Sequence, residues 1–259
     1  MTEAAPGAST DDPVLTEQQG RVLLITLNRP AAMNAINGAL AHRLAAAITR
    51  LDEDPGLTVG VLTGAGRGFS AGMDLKAFAK GEDISPMVSF LRNGARKPLI
   101  AAVEGFALAG GLELALGCDL IVAAAGVKLG VPEVKVGLFA AGGGVLRLPS
   151  RVGYSKAMEM AITGDPITAE EAAELGLVAR LAERGGAVAE AMLLAERVAE
   201  NAPLAVAASK LLVKATQGMT ETEFWAHQKP HHSAVFASND AKEGPRAFAE
   251  KRTPQWTGT

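Results

Sequence analysis

Apolar runs along the chain alternate with turn signals. Val22–Leu27, rich in branched residues and closed by Asn28-Arg29-Pro30, has the pattern of a buried strand with a stop. In residues 39–51, Leu40, Leu44, Ala47, Ile48 and Leu51 recur at three- and four-residue spacing, and Asp54-Pro55-Gly56 ends the helix this predicts. Residues 58–63 then read as the second strand of a β-α-β unit, followed by a glycine-rich turn through Gly72 and a short helix to Lys80. Leu99–Val103 and Leu120–Ala124 repeat the strand pattern, with a turn over 105–111 and a helix from near Leu112 between them. From about Ser155 helices dominate, over 156–162, 169–175, 187–200, 204–216 and 222–236. The expectation is an α/β fold: a loose polar tail at 1–13, a core over 14–200 and a helical C-terminal region over 201–259.

Composition narrows the function classes. The 259 residues, 48% hydrophobic and 20% charged, suffice to bury one large core. A net charge of −3 supplies no basic field for nucleic acid or anionic membrane, so neither is expected as a partner. The single cysteine, Cys118, excludes an intramolecular disulfide framework and a multi-cysteine metal site, and it reads as a small buried apolar residue. Residues 1–13 contain no arginine or lysine and no apolar stretch of the secretory kind, so a cytoplasmic location is expected. The weakly charged stretch 99–127 is interrupted by Glu104, Glu113 and Asp119, which argues for buried strand, turn and helix over a membrane span.

Candidate chemistry starts with the glycine turns. Gly64, Gly66 and Gly68 follow a strand, but a dinucleotide fingerprint requires glycine where Phe69 stands, and no Gly-Lys-Ser/Thr follows any turn. Gly68-Phe69-Ser70-Ala71-Gly72 matches the spacing of a serine nucleophile elbow, with His227, His231 and His232 as the available bases; a plain tight turn is the alternative. The adjacent His231 and His232 face different sides of a helix and do not make a metal pair; His42 lies on the polar side of the first helix. Glu113 follows Gly110-Gly111 in the first turn of an apolar helix, where the helix dipole favours a carboxylate. The two glycines also free backbone N–H groups to face a developing oxyanion. Glu133, in Gly130-Val131-Pro132-Glu133, follows the strand 120–124; strand, turn and helix in sequence can bring both carboxylates to one cleft, as an acid and base pair across a water.

Several segments in order resemble the crotonase family, the enoyl-CoA hydratases and isomerases. They are Asn28-Arg29-Pro30 with Asn34-Ala35, residues 68–75, residues 97–103 with Gly105 and Gly110-Gly111-Leu112-Glu113, and Pro132-Glu133. Gly142-Gly143-Gly144, Leu146 to Pro149, Thr163-Gly164 and Gly176-Leu177-Val178 extend the likeness through nearly the whole chain. The resemblance implies a spiral of β-β-α turns with a helical C-terminal trimerisation region, in a homotrimer or dimer of trimers. It implies action on acyl-CoA thioesters without metal or redox cofactor, coenzyme A being part of the substrate.

Carried over residue by residue, the resemblance puts the oxyanion hole on the backbone N–H groups of Met73 and Gly110. The hydratase carboxylates fall on Glu113, which would deprotonate water, and Glu133, which would protonate C2. Ala71, Asp74 and Leu75 match positions beside coenzyme A, and Lys251 matches a basic position that reaches a phosphate. Ala31 stands where the family often has a phosphate-binding lysine, and residues 73–76 and 144–149 are also similar to hydratases of crotonobetainyl-CoA. The expected activity is hydration of a trans-2-enoyl-CoA. A Δ3-Δ2-enoyl-CoA isomerase, a serine hydrolase built on Ser70 and a non-catalytic acyl-CoA binder are the other readings.

Overall fold

The computed structural model describes residues 12–259, so most of the expected tail, residues 1–11, lies outside the described residues. Strand β1 (Val14–Gln19) turns back through Gly20 and pairs antiparallel with β2 (Val22–Leu27), Val14 opposite Leu27. The sequence pattern predicts no strand at 14–19. Only Val14 of β1 is buried, so this edge strand has too little apolar alternation to stand out. After α1 (Gly38–Glu53), β3 (Val59–Gly64) lies parallel to β2. Then come α2 (Leu75–Ala79), α3 (Ser85–Asn93), β4 (Leu99–Val103), β5 (Phe106–Leu108) and α4 (Gly110–Gly117). The next turn holds β6 (Leu120–Ala124), β7 (Lys128–Gly130), α5 (Gly144–Val152), α6 (Tyr154–Thr163), β8 (Ile167–Thr168), α7 (Ala169–Glu174) and β9 (Arg180–Ala182). Four helices finish the chain: α8 (Ala187–Ala199), α9 (Pro203–Ala215), α10 (Glu221–Ala237) and α11 (Asn239–Glu250).

The strands form a six-stranded sheet in the order β1-β2-β3-β4-β6-β9, parallel except at its first pair, and a three-stranded sheet in the order β5-β7-β8. Two isolated parallel bridges, Ile36 with Met73 and Ser70 with Ala107, continue the small sheet toward the earlier turns. Each turn therefore gives one long strand to the large sheet, a short extended piece to the small one and then helix, which is a spiral of β-β-α turns. The tight turn expected over 105–111 contains β5, and α4 begins at Gly110, two residues ahead of the expected start.

The core follows from the apolar runs. All five residues of β4 and the first five of β3 are buried. Helix α1 packs Leu40, Leu44 and Leu51 inward, and its N-terminus is capped by Asn37, whose side chain accepts from Leu40 N–H at 3.1 Å. Helix α8 lays Ala187, Ala191 and Ala195 on the large sheet; their small side chains allow close packing. The sequence pattern predicts none of helices α3, α5 and α11. They are short or carry an internal proline (Pro149, Pro245), which weakens the helical signal.

Helix α9 is tied to the core by Lys210, whose Nζ donates to Ala95 O and Lys97 O and pairs with Asp119, each at 2.7 Å. Neither α9 nor α10 has a buried residue, and Trp225 and Phe236 of α10 stand open to solvent. Among the described residues no helix is long and apolar enough to cross a membrane.

Candidate active site

Two loops meet where the small sheet passes from its bridges to β5. Asn34 assembles the first. Its buried side chain donates to Ala65 O and Gly68 O and accepts from Arg29 N–H, each at 2.9 Å, so every polar atom of the amide is used. The segment after Gly68 is thereby held against residues 34–36, where Ile36 N–H donates to Gly72 O and Asp74 N–H donates to Ile36 O. Those two bonds flank Met73, so its own N–H turns to the opposite side, toward the start of α4.

Gly72 makes the close approach possible. Its φ is +94°, and a Cβ there would lie 2.7 Å from Ala109 Cβ and 2.9 Å from the Gly110 nitrogen. The N–H groups of Met73 and Gly110 thus lie side by side, and among the described residues neither has an acceptor. Gly110 is the first residue of α4, so its N–H has no partner within the helix and carries the positive end of the helix dipole. Ala109 holds this corner at φ 50°, ψ −131°, a conformation ordinarily left to glycine, while its N–H donates to Gly130 O at 2.9 Å.

The carboxylates converge on the same place from two further elements. Glu113, one turn into α4, is 5% exposed, and its Oε1 accepts from Gly144 N–H at 2.9 Å. Burial pushes its pKa up, opposed by the N–H groups of Gly144 and Gly142 and by the nearby Arg147 guanidinium. Glu133 sits in the 3-10 turn Pro132–Val136, which Pro132 begins. Burial and then the charge of Glu113 push its pKa up to about 6, against a bond from its own backbone N–H. Its Oε2 is buried without a hydrogen-bond partner, alone in this among the described residues. The two environments differ in kind: Glu113 is surrounded by donors suited to a carboxylate, whereas Glu133 keeps one oxygen free to hold a proton and present it.

Met73, Gly110, Glu113 and Glu133 all line one cavity of about 910 Å³. Ala71 and Leu75, expected beside coenzyme A, line it too. Asp74 is not among the lining residues. Its carboxylate caps α2 by accepting from Lys76 and Ala77 N–H and pairs with Arg29 at 3.2 Å. Lys251 is exposed at the end of α11 and is likewise absent from the cavity wall.

Ser70 is not placed as a nucleophile. Fully buried, its hydroxyl donates to Asn34 O at 2.9 Å and accepts from Gly72 N–H, and no histidine lines the cavity; the serine is a turn-forming residue. Cys118 is buried, as expected, and burial pushes its thiol pKa up. Among the described residues no three His, Cys, Asp or Glu side chains gather as a metal-binding group.

Two features that shape this site have no role in the expectations from sequence. Gly142 and Gly144 lie against the Glu113 carboxylate; a Cβ on Gly142 would come within 2.5 Å of Oε2. Arg147 reaches back along the same loop to donate to the carbonyls of Gly142, Leu91 and Arg92, fastening it to α3. Three glycines with an arginine three residues on are visible in the sequence, but the carboxylate they serve lies thirty-one positions before Gly144.

Comparison with known proteins gives a consistent likeness. The profile described as Enoyl-CoA hydratase/isomerase matches residues 17–259. The chain is 42% identical over 253 residues to the enoyl-CoA hydratase EchA19 of Mycobacterium tuberculosis, covering 93% of this chain and 95% of that one. It is 41% identical over 255 residues to a carnitinyl-CoA dehydratase of Salmonella typhi, covering 93% and 97%. Among solved structures, an enoyl-CoA hydratase from Mycobacterium tuberculosis H37Rv superposes with a TM-score of 0.93 at 53% identity, over 96% of this chain and 100% of that one. The enoyl-CoA hydratase EchA1 of Mycobacterium marinum does so with the same TM-score and coverage at 54% identity.

Proposed function

The chain belongs to the enoyl-CoA hydratase/isomerase family, and from that premise we propose that it adds water across the C2=C3 bond of a trans-2-enoyl-CoA, with Glu113 and Glu133 as its catalytic pair. The observation that carries the assignment of roles is the contrast between the two carboxylates beside a pair of unpaired backbone donors.

In this reading the thioester carbonyl oxygen accepts from the N–H groups of Met73 and Gly110. Glu113 takes a proton from a water as its oxygen bonds to C3. The π electrons move through C2 onto the thioester oxygen, and the two backbone donors stabilise the enolate charge more than they stabilise the neutral carbonyl. Collapse of the enolate forms the C2–H bond with the proton held on Glu133. Glu133 ends ionised and Glu113 protonated, and proton return from one to the other through solvent restores the resting state. Addition of water changes no overall oxidation state, so the chemistry calls for no redox cofactor.

Coenzyme A would lie along Ala71 and Leu75, with Asp74 acting by fixing the start of α2. Lys251 would contribute from the C-terminal region of a neighbouring subunit, and the exposed apolar residues of α10 fit the role of that region, 201–259, in a trimer or a dimer of trimers. The lone buried thiol fits a cytoplasmic enzyme. The deciding assay follows loss of the conjugated thioester absorbance over a panel of short, medium and branched trans-2-enoyl-CoAs. Hydration of none of them would overturn the reading.

A further inference from the structure

The histidines of α10 play no part in the site described above, and two of them form a pair. His227 and His231 are four positions apart, so their side chains leave the helix on one face, one turn apart. Their ring centroids lie 5.2 Å from each other at an interplanar angle of 62°. His232 leaves on another face and stacks on Phe236, the centroids 4.1 Å apart.

The paired rings are half-buried, a setting in which imidazole nitrogens usually find partners. Among the described residues, however, neither His227 nor His231 forms a hydrogen bond or an ion pair, and their ring nitrogens stay open to solvent. The spacing is that of two ligands on one zinc ion. With a Zn–N bond of about 2.05 Å each ring centroid lies roughly 3.2 Å from the metal, and at the tetrahedral angle two such rings stand about 5.2 Å apart. Two histidines at this i, i+4 spacing are also the helical donor pair of the H-E-x-x-H zinc motif. Glu223, one turn ahead of His227, commits Oε2 to the Thr220 cap.

We propose that His227 and His231 form a two-histidine site for Zn²⁺ or a similar late first-row divalent ion, with water in the remaining coordination positions. The site has a local consequence. Pro230 lies between the ligands and has no N–H to give Ala226 O, so this turn of α10 lacks one helical bond. A metal joining residues 227 and 231 spans that turn and fastens it. Neither histidine lines the cavity, so the proposal stands apart from the hydratase reading.

Half the donors of a closed four-ligand site scales to a Kd of roughly 1–100 μM. Calorimetric titration of the chelator-treated full chain with Zn²⁺ should give one such site per chain. His227→Asn and His231→Asn should each weaken it at least tenfold. His232→Asn should not, nor should His42→Asn, although His42 lies 3.6 Å from Asp83. Zn²⁺ at ten times its Kd should raise the thermal unfolding midpoint of the wild type by about 2–4 °C and leave that of the two variants unmoved. Without metal both variants should unfold close to the wild-type midpoint and keep its rate of enoyl-CoA hydration. No binding by the wild type up to roughly 1 mM Zn²⁺ would overturn the proposal. So would a site that survives both substitutions, or one lost in Glu113→Gln, because the ion would then lie elsewhere.

Discussion

Glu113 Oε1 accepts a hydrogen bond from the backbone N–H of Gly144 at 2.9 Å, joining the first turn of α4 to the start of α5. The carboxylate is buried, and the N–H groups of Gly144 and Gly142, with the Arg147 guanidinium nearby, oppose the upward push of burial on its pKa and hold it in place. Glu113→Gln keeps the volume but removes the carboxylate proposed as the base. It should lower kcat for enoyl-CoA hydration by about a hundredfold or more with little change in KM, as read from initial rates. Activity within threefold of the parent would remove Glu113 from the catalytic pair.

The same loop tolerates no side chain at residue 142. A Cβ there would lie 2.5 Å from Glu113 Oε2, and the carboxylate would have to move. Gly142→Ala should reduce kcat at least tenfold and cost about 1–3 kcal/mol of stability through overpacking, measurable by urea denaturation. An unchanged kcat would mean that Glu113 need not sit where the loop places it.

Glu133 links the site to stability. Its pKa is raised from 4.5 to about 6, so the folded state binds the proton more tightly than the unfolded chain. Ionising the group therefore penalises folding. The penalty is absent below pH 4.5, grows as pH rises through 6 and is complete above it, reaching about 2 kcal/mol. Glu133→Gln should stabilise the fold by on the order of 1–2 kcal/mol at pH 7.5 and by nothing measurable at pH 4, while activity falls about a hundredfold or more. Denaturation curves at the two pH values test this; equal effects at both would show that the gain does not come from the ionised carboxyl.

Lys210 fastens the C-terminal helices to the core through two carbonyls and Asp119. Asp119 also accepts from Leu99 N–H at 2.8 Å, so losing the ammonium leaves a partly buried charge at the start of β4. Lys210→Met should destabilise the chain by roughly 2 kcal/mol in thermal or chemical unfolding. A loss below 0.5 kcal/mol, about the scale of exposed pairs, would show that solvent replaces the contact.

Trp225 and Phe236 leave large apolar area exposed on α10. Light scattering should give the mass of three or six chains, and changing both residues to lysine should shift it toward one. A wild-type monomer retaining full activity at nanomolar concentration would contradict the assembly without touching the chemistry.

Some of this architecture is local in origin. The runs at 22–27, 59–64, 99–103 and 120–124 are strands in a sheet buried on both faces, where nearly every position must be apolar, so composition alone marks them. The three- and four-residue spacing of Leu40, Leu44, Ala47, Ile48 and Leu51 does the same for α1, and Glu113 after two glycines stands out because a carboxylate in an apolar helix has a conspicuous desolvation cost. The short strands β5, β7 and β8 left no such trace: two or three residues cannot show a period, and tertiary pairing alone makes them extended. The adjacent N–H groups of Met73 and Gly110 show the same limit. Every residue but proline has a backbone N–H, so nothing in the identity of Met73 marks its amide, which is free only because the bridge to Ile36 turns it toward α4 and because Gly72 admits that helix so closely. The contrasting surroundings of Glu113 and Glu133 likewise arise from partners contributed by distant segments: the N–H groups of Gly142 and Gly144 surround one carboxylate, and burial without a donor isolates an oxygen of the other.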